Sequence, residues 1–191
     1  MCAEAERIVD FWLNEVGPEG WYKSSTELDT SIRDEFGGLW EAARNGEYTA
    51  WLVSPQKALA LLILLDQFPR NMFRGEAKAF ASDGAALAVA KRAIVMGHDL
   101  KTSEPGRQFF YLPLMHSESL MDQERCVRLM ALRMPQTGAS NLHHARAHRD
   151  VIRQFGRFPY RNAALGRTTT AAERDYLAGG GYASSVKANA A

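Results

Sequence analysis

The chain has 191 residues, of which 46% are hydrophobic and 24% are charged, and its formal net charge is +1. These values are typical of a globular protein with one domain, and they disfavour intrinsic disorder, collagen and coiled coil. A near-neutral chain lacks the basic surface of a dedicated nucleic-acid-binding protein, so we expect no nucleic acid partner. The longest apolar run, residues 58–65, is far shorter than the ~20 residues that span a bilayer, so we expect no membrane partner.

The N-terminal residues and the cysteines indicate a cellular compartment. Glu4, Glu6 and Asp10 stand where a secretory signal peptide would carry cations and an apolar core. Cys2 and Cys126 are the two cysteines of the chain, and they form no CxxC motif. We therefore expect a cytoplasmic protein without a disulfide framework or a cysteine-based zinc site.

The hydrophobic periodicity is helical from the first residues onward. The spacing of apolar residues over 8–12 predicts an amphipathic helix that ends at Gly17-Pro18. Apolar residues then recur every three or four positions over 28–43, and Asn45-Gly46 ends this second helix. Both helices expose one polar face.

The next two helices have recognisable start signals. Ser54-Pro55 predicts an N-cap followed by proline at the first helical position, where its missing N–H is harmless. The helix that it starts is apolar on all faces over 59–65, which is typical of the centre of a core. Asp83 is predicted to cap the following helix, and Gly97 to end it.

The second half of the chain continues this pattern. A short helix is predicted over 108–115, where Pro113 must kink or end it. Longer helices are predicted over 120–134 and 140–155. On the first of these, Gln123 lies in an otherwise apolar stripe.

The C-terminal part completes a fold prediction. Thr170 and Glu173 have the spacing of a capping box for a last short helix, and the glycine- and serine-rich residues 179–191 are predicted to be a flexible tail. No stretch requires a β-strand, and the loops are short. The sequence therefore predicts an all-α array of about eight or nine helices in antiparallel hairpins, with one domain over residues 1–178.

Charge is unevenly distributed along the chain. Residues 1–95 carry a balance of −4, whereas residues 96–191 carry +5, and all five histidines lie between residues 98 and 148. Most of the positive excess is arginine, which favours bidentate contacts with anions. Two interpretations remain open: an anion site in the second half, or two oppositely charged halves that attract one another.

A short repeat marks two helix ends. Phe-Pro followed by Arg-Asn occurs within residues 67–71 and again within residues 157–162. If the halves pack about a pseudo-twofold axis, Arg70 and Arg161 face one another and hold a carboxylate or phosphate. Alternatively, each arginine satisfies carbonyls at its own helix C-terminus, and Asp66 pairs locally with Arg70.

Two histidine groups could carry chemistry. His116 and Glu118 lie two residues apart, so they converge only if the chain breaks between two helices, and serine with glutamate at a helix start is also ordinary capping chemistry. His144 and His148 have the i, i+4 spacing of a metal pair. We predict no metal here, because a site needs three or four ligands and His148 lies on an apolar stripe.

Four motifs follow one another along the chain. They are Asp10-Phe11-Trp12, Leu65-Asp66-Gln67-Phe68-Pro69-Arg70-Asn71, Tyr111-Leu112-Pro113-Leu114-Met115-His116-Ser117-Glu118 and Phe155-Gly156-Arg157-Phe158-Pro159-Tyr160-Arg161-Asn162. Their order resembles the bacterial domain-of-unknown-function family 924, from about residue 5 to residue 182. The resemblance implies an all-helical fold akin to tetratricopeptide-repeat-like arrays, but it supplies no reaction. The positions that match the family's motifs are Asp66, Arg70, Asn71, His116, Glu118, His148, Arg157, Arg161, Asn162 and Arg167.

Two hypotheses for function follow. The first is a site for an anionic small molecule, used for binding, hydrolysis or proton transfer, with no cofactor assigned and no metal. The second is a non-catalytic module that binds a protein partner or a second copy of the chain. In the first hypothesis the catalytic residues are His116, Glu118 and Asp66, and the substrate-binding residues are Arg70, Asn71, His148, Arg157, Arg161 and Asn162.

Overall fold

The computed structural model describes residues 2–189, which contain helices and no β-strand. The all-α prediction is confirmed, while a tetratricopeptide-repeat-like arrangement of hairpins stays a prediction. The α-helices are α1 (Ala3–Asp10), α2 (Gly17–Gly20), α3 (Thr26–Arg44), α4 (Pro55–Leu62), α5 (Phe68–Met72), α6 (Asp83–Val95), α7 (Leu112–Met115), α8 (Leu120–Arg133), α9 (Ala139–Phe155), α10 (Ala171–Ala178) and α11 (Gly181–Ala188).

Other helical turns link or extend these helices. π-helical segments follow α1 and α4 at Phe11–Val16 and Ile63–Gln67. The 3₁₀ turns are Thr49–Val53, Ala77–Phe80, Asp99–Lys101, Gly106–Phe110 and Pro159–Arg161. Within the described residues, no helix combines the length and the hydropathy that a bilayer crossing requires.

The chain groups into two compact units, Met1–Pro113 and Leu114–Ala191, called unit 1 and unit 2 below. The boundary falls inside the single domain that the sequence predicts over residues 1–178. That domain assignment stays a prediction.

The core of unit 1 is built on the helix that is apolar on all faces. Every residue over 58–69 is buried, as its composition predicts. The ring of Phe68 lies 4.7 Å from that of Phe36 and 5.5 Å from that of Trp12, measured between centroids. Ser54 caps α4 by accepting a hydrogen bond from the Lys57 N–H, with Pro55 at the first helical position, so this predicted start is confirmed.

The start of α6 differs from the prediction. Ser82, not Asp83, occupies the N-cap position. The Ser82 hydroxyl donates to the Leu65 carbonyl at 2.6 Å and accepts from Trp40 Nε1 at 3.0 Å, so it serves the core and does not cap the helix. Asp83 becomes the first helical residue, and its carboxylate accepts a hydrogen bond from Arg70.

In unit 2, α8 and α9 pack together in antiparallel fashion, because Glu124 near the start of α8 pairs with Arg153 near the end of α9. Gly156 ends α9 in the left-handed conformation at φ 70°, a region that favours glycine. The Thr170–Glu173 capping box forms at the start of α10 as predicted.

The C-terminal segment departs from the predicted tail. Within it, residues 181–188 form α11, which packs against α9. Gly181 is buried, and Tyr182 and Val186 are partly buried. The helix forms because the side chains of Tyr182 and Val186, one turn apart, lie on the face that α9 covers. The serine- and alanine-rich composition alone does not predict this packing.

Candidate functional site

The predicted site residues divide between the two units. Asp66, Arg70 and Asn71 belong to unit 1. The others belong to unit 2, and they are His116, Glu118, His148, Arg157, Arg161, Asn162 and Arg167. Convergence of Arg70 with Arg161 therefore stays a prediction, and each group is described within its own unit.

In unit 1, the predicted residues join neighbouring helices. Asp66, only 1% exposed in the π-helical segment after α4, accepts hydrogen bonds from Gln67 Nε2 and, at 3.2 Å, from Arg70 Nη2. The same Arg70 nitrogen donates to Asp83 at 2.8 Å, so two carboxylates hold this guanidinium. The local Asp66–Arg70 pair expected from the sequence is present.

Asn71 has a comparable bridging contact. Its side-chain N–H donates to Asp29 of α3 at 2.8 Å, and Asp29 also pairs with Arg74 at 2.9 Å. The hydrogen bonds from Arg74 and Asn71 outweigh the opposing effect of burial, so the pKa of Asp29 lies below its ordinary value. Asn71 thus ties α5 to α3.

In unit 2, Glu118 lies in the break between α7 and α8 that the sequence required for it to approach His116. Its oxygens accept from Arg167 at 2.9 and 3.0 Å and from the Phe158 N–H at 2.9 Å. Burial acts to raise the pKa of Glu118, but the Arg167 and Phe158 hydrogen bonds outweigh it and hold the pKa below the ordinary value. Glu118 is an ionised anchor for the turn after α9.

Arg157 and Asn162 converge on Glu173, which is 2% exposed. Arg157 donates to both Glu173 oxygens at 2.6 and 2.8 Å, and Asn162 donates to one of them at 3.3 Å. These contacts and the capping box with Thr170 lower the pKa of Glu173 to about 2. The two predicted substrate-binding side chains therefore anchor α10.

Arg161, 5% exposed, lies against the backbone of His116, one of the predicted catalytic residues. Its Nη2 donates to the His116 carbonyl at 3.1 Å, and its guanidinium carbon lies 4.5 Å from the centroid of the Phe158 ring. His148 also contacts Phe158, with ring centroids 5.4 Å apart, and Tyr160 stacks on the same ring at 5.3 Å. Arg161 and His148 are thus brought together on one aromatic ring.

His148 is partly buried and neutral. Burial is the main cause that lowers its pKa, to about 3, and the nearby His116 and Arg161 charges add to the effect. The His116 and His148 rings lie 6.3 Å apart between centroids. The structure therefore places His116, His148 and Arg161, all named from the sequence, in one group.

The hydrogen bonds of His148 fix where its proton lies. Nδ1 lies 2.9 Å from the His144 carbonyl and 3.0 Å from the Tyr182 hydroxyl. A carbonyl oxygen only accepts, so Nδ1 must carry the proton, and Nε2 is left with a lone pair. Within residues 2–189, Nε2 of His148 has no hydrogen-bond partner. Nε2 can therefore accept a hydrogen bond from a bound molecule.

Two residues of unit 2 have roles that the sequence does not predict: Tyr182, and Glu173 beyond its capping of a helix. Tyr182 follows three glycines in the predicted flexible tail. Its recurrence with Ser185, Val186 and Asn189, at i, i+3, i+4 and i+7, is the helical signal that would have found it.

Two surface cavities in unit 1, of about 450 and 430 Å³, involve none of the predicted site residues. Both lie beside α1 and the start of α4, and Gln56 lines each of them. Among residues 2–189, no group of three or more His, Cys, Asp or Glu side chains is placed to hold a metal ion. The candidate site is therefore the group of His116, His148 and Arg161 in unit 2, and its hydrogen bonds and charge indicate what it could bind.

Comparisons with known proteins agree with this all-helical fold. The model of the family described as bacterial protein of unknown function (DUF924) matches residues 8–181. A solved structure of a protein of unknown function from Agrobacterium tumefaciens is similar, with 44% identity, a TM-score of 0.85, and coverage of 91% of this chain and 96% of that one. A comparison with functionally curated proteins finds no match.

Proposed function

The chain belongs to the bacterial protein family of unknown function DUF924, and we propose that unit 2 binds a small anion at His148 and Arg161. The observation that carries this proposal is the pairing of an uncharged imidazole, with its Nε2 lone pair available, and a guanidinium on the same Phe158 ring. Arg161 supplies positive charge, and His148 accepts a hydrogen bond.

The charge of unit 2 supports an anionic ligand. Residues 114–191 contain eleven Lys and Arg residues against six Asp and Glu, a balance of +5. Two carboxylates near the site, Glu118 and Glu173, are paired with Arg167 and Arg157. The net positive charge of unit 2 favours anion entry.

The two side chains together select the ligand chemistry. Because His148 Nε2 accepts, the ligand must donate a hydrogen bond to it from an O–H or N–H. Because Arg161 is cationic, the ligand must also carry negative charge. A phosphate monoanion and a hydroxy acid both satisfy these two requirements, and an anion with no donor satisfies only one.

A more specific proposal is that the site catalyses proton transfer, with His116 as the acid or base. The His116 ring lies near enough to His148 for one small ligand to contact both. Glu118 is better suited to hold the loop, since its oxygens already accept three hydrogen bonds. Catalysis by His116 and Asp66, like the expected cytoplasmic location, stays a prediction.

The test is a titration of the purified protein with inorganic phosphate, malate and succinate, followed by calorimetry. We expect phosphate and malate to bind better than succinate, which lacks a hydroxyl donor. His148→Ala should weaken phosphate binding about five- to tenfold, as expected for one hydrogen bond worth about 1 kcal/mol. Arg161→Lys, which keeps the charge but loses the fork, should also weaken it.

The matched control is His143→Ala, which removes a histidine of the same helix that takes no part in these hydrogen bonds. It should bind phosphate as the unmodified protein does. Equal binding by the His148→Ala variant, or no binding of any of the three anions by the unmodified protein, would contradict the proposal. The second outcome would move attention to the protein-interaction hypothesis.

A further inference from the structure

The C-terminal helix α11 places a tyrosine against two histidines of α9. The Tyr182 ring lies 4.6 Å from that of His148 and stacks on that of His144 at 6.0 Å, measured between centroids. Its hydroxyl lies 2.7 Å from His144 Nδ1 and 3.0 Å from His148 Nδ1. One hydroxyl therefore joins two imidazoles that lie one helical turn apart.

Two further contacts hold α11 in this position. Asn189 Nδ2 donates to Asp150 of α9 at 3.2 Å, and the Tyr176 hydroxyl lies 3.0 Å from Ser185 Oγ. The first contact lies at the end of α11, and the second connects it to α10. α11 is thus attached to α9 and to α10 by contacts other than the hydrogen bonds of Tyr182.

When both imidazoles are neutral, one arrangement of protons gives each of these contacts a donor and also gives the Tyr182 hydroxyl proton an acceptor. His148 Nδ1 carries a proton, because it faces the His144 carbonyl, and the Tyr182 oxygen accepts from that same N–H. The Tyr182 proton is then directed to His144 Nδ1, which must be the unprotonated nitrogen. His144 consequently carries its proton on Nε2, whereas His148 carries its proton on Nδ1.

We propose that Tyr182 is a positioning residue that holds His148 and His144 in opposite tautomers. This inference rests on the proposed function in one respect: the nitrogen left unprotonated on His148 is the ligand acceptor. The tautomers themselves are properties of the ligand-free protein. Burial lowers the pKa of both histidines, so both are neutral at pH 7.5, where the arrangement applies.

Removal of the hydroxyl affects the two histidines differently. In a Tyr182→Phe variant, His144 loses the donor that keeps Nδ1 unprotonated, so its two tautomers should both be populated. His148 keeps the His144 carbonyl as a partner and so retains its Nδ1 proton. Its ring loses one of two anchors, and phosphate affinity should fall several-fold.

The experiment is long-range ¹H–¹⁵N NMR of the histidine side chains at pH 7.5 without ligand, in the full chain. We expect His144 protonated on Nε2 in the unmodified protein and a mixture of tautomers in Tyr182→Phe. Tyr176→Phe is the matched control, because it removes a hydroxyl that anchors α11 and leaves the histidine contacts intact. It should give the spectrum of the unmodified protein.

Two results would overturn the inference. One is an unchanged His144 tautomer in Tyr182→Phe. The other is the same change in Tyr176→Phe, which would trace the effect to loosening of α11. If the tautomer changes as expected but phosphate binds neither protein, the positioning role holds and the proposed anion site fails, so the two failures are distinguishable.

Discussion

Glu118 and Arg167, 49 residues apart in the chain, form a two-pronged ion pair with oxygen–nitrogen distances of 2.9 and 3.0 Å. Glu118 also accepts the Phe158 N–H, so it links the loop before α8, the turn after α9 and the segment before α10. A carboxylate predicted from the sequence to act in acid–base chemistry therefore holds three segments of unit 2 together.

The first prediction concerns this ion pair. Glu118→Gln should destabilise the protein, because Arg167 and the Phe158 N–H lose a charged acceptor. The pair is partly exposed, with 22% and 30% of the side-chain areas accessible, so solvent screening limits the expected coupling to about 1 kcal/mol. A double-mutant cycle with Arg167→Gln, measured by urea unfolding, gives this value. Additive effects would show that the two side chains do not interact.

The second prediction concerns pH. The pKa of His148 is lowered to about 3 in the folded protein, while an unfolded histidine has its ordinary pKa near 6.5. Between these values the unfolded chain binds a proton that the folded chain does not, so the free energy of unfolding falls as the pH falls. The loss at pH 5 should be about 1–2 kcal/mol.

The variant His148→Gln checks this contribution, because glutamine does not titrate. Urea unfolding at pH 7, 6 and 5 should show a shallower decline for His148→Gln than for the unmodified protein. His144 remains in both proteins, and so the difference isolates His148. Parallel pH dependences would contradict a neutral His148.

The third prediction concerns the buried glutamine of α8. Gln123, fully buried, donates from Nε2 to the carbonyls of Met115 and Ser117 at 2.6 and 2.7 Å. Gln123→Leu fills similar space but leaves these carbonyls without that donor, so we expect a loss of about 2–3 kcal/mol. Met121→Ala, at a position 83% exposed on the same helix, is the control and should change stability by less than about 0.5 kcal/mol. Equal effects would show that the donor is unimportant.

The fourth prediction concerns the start of α10. Thr170→Ala removes one half of the capping box and should cost about 1 kcal/mol. Glu173→Gln should cost more, because the Glu173 carboxylate also binds Arg157 and Asn162. Thermal unfolding at pH 7 ranks the two variants. A higher melting temperature for Glu173→Gln than for Thr170→Ala would contradict the role assigned to Glu173.

Glu173 also makes the stability depend on pH. Burial lowers the pKa of His148, whereas hydrogen bonds to the charged form lower the pKa of Glu173. Its folded pKa of about 2 lies below the ordinary glutamate value of 4.5, so its stabilising effect is present above pH 4.5 and is lost as the pH falls toward 2. Glu173→Gln should therefore remove part of the stability decline below pH 4.5.

Several local features were predictable because neighbouring residues decide them. Proline after Ser54, glycine at position 156 and the Thr170–Glu173 spacing each act on the backbone within a few residues. Gln123 was also recognisable as a polar group in an apolar stripe. Its three carbonyl acceptors were not, because they belong to the end of α7 and the turn after it, and these approach Gln123 only in the folded protein.

The sequence by itself determined the helical class, most helix ends, the family resemblance and the set of residue types from which a site could be built. Only the tertiary structure decided their roles, because a side chain's role depends on its partners in space. Arg157 and Asn162 bind Glu173, whereas Arg161 and His148 both contact the Phe158 ring. Tyr182 contacts His148 because α9 covers one face of α11, a segment whose composition predicted a flexible tail.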